Sequence, residues 1–78
     1  MRPAVYEIHF DGTLSPEDLA EFVGMTATDD GSRTVLRGVI RDQPALVGVV
    51  ARVEARGCTV RVVRALAPPR DEGGGRSR

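Results

Sequence analysis

The sequence predicts an α+β domain, and three observations carry that reading. Tyr6, Ile8 and Phe10 alternate with Val5, Glu7 and His9, the period-two pattern of a strand with one buried face. Leu46, Val49, Val50 and Val53 recur at i, i+3, i+4 and i+7, which gathers them on one helical face and leaves Arg52, Glu54 and Arg56 off it. Between them, Asp29-Asp30-Gly31-Ser32 separates two β-prone runs, a strong hairpin cue.

Taken in order, the first strand runs from Ala4 to Asp11, and Asp11-Gly12 turns the chain. A helix then starts with Ser15 as N-cap, Pro16 at the first position, Asp18 reaching back as in a capping box, and Leu14 stapling to Leu19. It is expected over Pro16 to Val23, with Leu19, Phe22 and Val23 facing inward, and Gly24 as a left-handed stop. Met25 to Thr28 reads as a short edge strand and Arg33 to Arg41 as a longer one. In the latter, Leu36 and Ile40 point one way, and Val35, Arg37, Val39 and Arg41 point the other. Asp42 opens a second helix, Pro44 to Arg56, which Gly57 ends, and Thr59 to Leu66 forms a fourth strand. The order is βαββαβ, the ferredoxin-like arrangement of a four-stranded antiparallel sheet with two helices on one face, here over residues 1–67. The tail that follows has no apolar residue after Pro68-Pro69 and holds three consecutive glycines, so residues 68–78 are expected to be disordered.

A chain of 78 residues buries only about 60% of the surface its unfolded form exposes, so self-association is a natural way to add burial. Disulfides cannot supply it within the chain, because Cys58 is the only cysteine. One cysteine, no signal peptide and no apolar run of membrane length point to a cytoplasmic setting without membrane attachment. Net charge is zero, yet residues 1–30 carry seven acids against Arg2 while residues 31–70 carry eight arginines against Asp42 and Glu54. That asymmetry is expected to cancel across strands once the halves interleave. All basic residues are arginine, a usage associated with high-GC bacterial genomes.

Nothing in the chain has the form of a catalytic signature, and no enzyme activity is expected. His9 is the only histidine and no catalytic partner is evident for it in the sequence; Cys58 has no CxxC companion, so neither a metal nor another cofactor is expected. RNA-recognition domains share the βαββαβ order and stack bases on aromatics of the two central strands. The third strand here has no aromatic and the total charge is neutral, so His9, Arg37 and Arg61 offer at most a weak phosphate-binding face, and nucleic-acid binding is not expected. The open sheet face is expected to show Val5, Glu7, His9, Val35, Arg37, Val39, Arg61 and Val63. Four valines together on a face that no further segment can cover point to a contact surface, through the face or the edge strands, for a homo-dimer, a higher oligomer or another protein.

Three resemblances accompany this reading. The segment Gly24-Met25-Thr26-Ala27 resembles the GMTC start of heavy-metal-associated domains, but Ala27 stands where the first cysteine belongs. The run from Asp42-Gln43-Pro44-Ala45-Leu46 through Val53, followed by Arg56-Gly57, resembles the DxPGLL…V…RG signature of ACT domains, small regulatory modules that bind amino acids. It differs in placing Ala45 at the usual glycine and in lying on the second helix. That resemblance implies, as an alternative function, a small-molecule sensor with Asp42, Gln43, Ala45 and Leu46 at its site. From Tyr6 to Leu66 the pattern GTLS…L..F.GM……G…LRG.I.DQ.AL.G..ARV…G resembles short uncharacterised proteins of high-GC actinobacteria, which supports the fold without implying an activity.

Overall fold

The structure is a computed structural model and describes residues 2–29 and 31–67; the expected disordered tail lies outside them. Four strands and two helices follow one another as β1 (Ala4–Asp11), α1 (Pro16–Leu19), β2 (Met25–Asp29), β3 (Thr34–Ile40), α2 (Gln43–Ala55) and β4 (Thr59–Ala67). The strands form one antiparallel sheet in the order β2-β3-β1-β4, so β1 and β3 are central and β2 and β4 are the edges.

Local chemistry accounts for where each helix begins. The Ser15 hydroxyl accepts from the Asp18 amide at 3.0 Å and the Asp18 carboxylate accepts from the Ser15 amide at 3.4 Å, a reciprocal cap with Pro16 at the first turn. Asp42 caps α2 in one direction only, its carboxylate accepting from the Ala45 amide at 2.9 Å. Both expected glycine stops adopt left-handed backbone, φ +81° at Gly24 and +88° at Gly57, a region that L side chains enter only under strain.

The first helix is shorter than the sequence suggests. Helical bonds from Leu19 to Ser15 and from Ala20 to Pro16 give way to i→i−3 bonds from Glu21 to Asp18 and from Phe22 to Leu19. That tightening advances the chain by a different angle per residue. It drives Phe22 into the core, where it is 4% exposed, and turns Val23 out to 90% exposure, so Val23 is not part of the inward stripe.

One core lies between the sheet and the helices. Ile8, Phe10, Leu36 and Val53 are fully inaccessible, Phe22, Ile40 and Cys58 nearly so, and Leu19, Leu46, Val49, Val50 and Val60 pack around them. Gly38 sits opposite Tyr6 and Met25 in the same layer. A Cβ there would stand 2.8 Å from Met25 Cγ and 3.0 Å from the Gly24 carbonyl oxygen, so the absence of a side chain is what lets β2 lie this close.

Candidate functional site: the open sheet face

Strand pairing determines which side chains share the face opposite the helices, because directly paired residues project to the same side. Val5, Glu7 and His9 on β1 pair with Val39, Arg37 and Val35 on β3, so all six expected residues of the two central strands meet there. Thr26 and Thr28 join from β2, opposite Arg37 and Val35.

On β4 the expectation needs correction. The register slips between His9 and Phe10, so that His9 pairs with Val62 and Phe10 with Val60, leaving Arg61 in a bulge. Val63 therefore pairs with Ile8 and shares the helix-bearing side, not the open face. The open-face residues from β4 are Val62 beside His9 and Arg64 beside Glu7, while Arg61 reaches Asp11 at 2.6 Å. Strict alternation along Val60 to Val63 cannot reveal an extra residue, so the sequence alone does not point to Val62 and Arg64.

The centre of the face is an ion cluster on a nearly buried carboxylate. Glu7 is only 8% exposed; its Oε1 lies 3.1 Å from His9 Nε2, and its Oε2 accepts from the Arg37 guanidinium. These partners favour the ionised form, the His9 hydrogen bond most and Arg37 next, and hold the Glu7 carboxyl below the usual glutamate range. The histidine thus has an acidic partner two residues away on its own strand, a spacing that places both on one side. The pairing was legible in principle from Glu7-Ile8-His9 alone. It supplies a base and its orienting carboxylate, but the residues paired with His9 on either side are Val35 and Val62, which bring no nucleophile.

Around this cluster the face is divided between apolar and polar groups. Val35 is 7% exposed between His9 and Thr28, whereas Val39 is 54% exposed beside Val5. Tyr6 and Phe10 alternate away from this face and Phe22 is in the core, so the chain's three aromatic side chains all lie on the helix-bearing side. The face therefore offers no Phe, Tyr or Trp ring on which a nucleic-acid base could stack, and its one imidazole, His9, is hydrogen-bonded to Glu7.

The start of α2 has a different geometry from that expected of a ligand site. Pro44 has no amide hydrogen, the Ala45 amide is taken by the Asp42 carboxylate, and the Leu46 amide by the Asp42 carbonyl oxygen at 3.1 Å. That leaves the Gln43 amide, so the turn does not present a convergent set of donors. Ala45 alone of the four expected residues lines a cleft, discussed below.

Among the described residues no group of three or more His, Cys, Asp or Glu side chains could hold a metal ion, and no helix is long and apolar enough to cross a membrane. Fold and face together define a small α+β module with an antiparallel sheet open on one side. The chain belongs to a family of domains of unknown function, DUF8691, which matches residues 5–64 and so spans the module from β1 into β4. No curated protein and no solved structure matches the chain.

Proposed function

We propose that this chain is a ferredoxin-like, non-enzymatic interaction module that works in the cytoplasm and self-associates through its open sheet face. The observation that carries the reading is the composition of that face: its central carboxylate is already paired within the chain, and valines flank it. Glu7 is held by His9 and Arg37, so covering it does not strand an uncompensated charge, which is the main penalty for burying ionic groups at an interface. Val5 and Val39 on one side, and Val62 with His9 on the other, then supply apolar area that gains from leaving water. The strand order β2-β3-β1-β4, with both connecting helices contributing to one core, supports the ferredoxin-like assignment even though α1 is reduced to one turn.

Light scattering across a concentration series tests the reading. The wild-type chain is expected to have a mass of at least twice the monomer, and Val39→Glu, which places an acid on the exposed part of the face, is expected to return it to monomer. A wild-type monomer at millimolar concentration, or an unchanged oligomer in Val39→Glu, would sink it.

A further inference from the structure

At one end of the sheet, a cleft of about 500 Å3 opens where β2 begins and β3 ends, and Val39 of the open face reaches its rim. Its apolar lining includes Phe22, Met25, Ile40 and Val49, and Arg41 and Arg52 line it too. The cleft follows from the early end of α1. Ala45, Val49 and Arg52 lie at i, i+4 and i+7 on one stripe of α2, and the segment facing that stripe is the tight turn after Leu19 instead of another helical turn.

The charges on its walls differ in kind. Glu21 also lines the cleft, but its carboxylate is held by Arg56. Arg41 and Arg52 have no ion-pair or hydrogen-bond partner among the described residues. Two uncommitted guanidinium groups over an apolar lining form a complement to a molecule with an anionic head and an apolar body. Guanidinium forks match the planar carboxylate well, and the volume falls within the roughly 300–1,000 Å3 of small-molecule sites.

We propose that this cleft binds a small hydrophobic carboxylate, its head between Arg41 and Arg52 and its apolar body against Phe22, Met25 and Val49. The cleft shares only Val39 with the open-face residues named above, so variants at Arg41 and Arg52 test it without touching that face.

Amide chemical shifts of the full chain, titrated in parallel with octanoate, octylammonium and acetate, test the proposal. Octanoate is expected to move the amides of Phe22, Met25 and Val49 in a saturable way, acetate to move them little, and octylammonium to bind several-fold more weakly. Arg41→Gln and Arg52→Gln, at exposed positions without partners among the described residues, are expected to keep the wild-type spectrum and to weaken octanoate about three- to fivefold each, the upper range for one exposed charge contact. Equal binding of octanoate and octylammonium, full affinity in the double variant, or no saturable shift at these amides would each overturn the assignment.

Discussion

Glu7 shows how one residue can link folding to pH. Its ionised form is favoured in the fold by the His9 hydrogen bond and by Arg37, so its pKa is lower folded than unfolded. Such a group contributes stability that is fully present above the unfolded value, about 4.3 for glutamate, and that is lost as pH falls from there through the folded pKa. Denaturant midpoints measured from pH 7 to pH 2.5 should therefore show an acid-side decline that is shallower in Glu7→Gln. Superimposable wild-type and variant slopes would remove Glu7 from the account. Cys58 is the opposite case, since burial first, and Asp18 second, push its thiol up. With its Sγ 3.8 Å from the Thr13 carbonyl oxygen and the side chain in the core, it should react with iodoacetamide at a rate set by unfolding. Fast labelling in native buffer would contradict that. Gly38→Ala introduces a Cβ that has to displace Met25 or the Gly24 carbonyl, and it should cost about 1–3 kcal/mol, the usual penalty for overpacking.

At the scale of elements, helix starts and helix ends were unequally legible. The starts depend on contacts within four residues: Ser15, Pro16 and Asp18 for α1, and Asp42 for α2. Replacing Asp42 with Ala removes the hydrogen bond to the Ala45 amide and should lower stability by about 1 kcal/mol. Ser15→Ala should cost less globally, because α1 is a single turn with no fully buried residue of its own. Urea midpoints of the two variants provide the comparison, and a larger loss from Ser15→Ala would show that α1 anchors more than its length implies. The end of α1 was not legible, because Leu19, Phe22 and Val23 suit an inward stripe equally well in composition. What separates them is the pull of Phe22 into a core built by Ile8, Leu36 and Val53, a tertiary effect that overrides local periodicity. The same holds for β4. Thr59-Val60-Arg61-Val62-Val63 reads as plain alternation, and only its pairing with β1 inserts the bulge that exchanges Val63 for Val62 on the open face. The residues expected there from β1 and β3 were placed correctly because a central strand's alternation is held by neighbours on both sides.

For the whole molecule, part of the uneven spread of charge along the chain resolves into short-range pairs. Every acid in these pairs comes from the first 21 residues and every arginine from residue 33 onward: Glu7 with Arg37, Asp11 with Arg33 and Arg61, Asp18 and Glu21 with Arg56. Folding therefore interleaves two oppositely charged halves, and Arg56 in addition ties the end of α2 to the turn after α1. Most of these groups are at least a quarter exposed, so each pair is worth about 0.2–1 kcal/mol at most, and screening should matter little at neutral pH. Raising NaCl from 0.05 to 1 M at pH 7 should lower Tm modestly, by about 4–8 °C for each kcal/mol of pairing that salt screens in a domain of this size. At pH 3 the balance changes sign. Protonation of the carboxylates removes the partners and leaves the arginines to repel one another, with Arg37, Arg61 and Arg64 together on or beside the open face. Salt then screens repulsion instead of attraction and should raise Tm. A large loss of stability with salt at pH 7 would show that the charge pairs, and not the core around Ile8, Phe10, Leu36 and Val53, hold the two halves together.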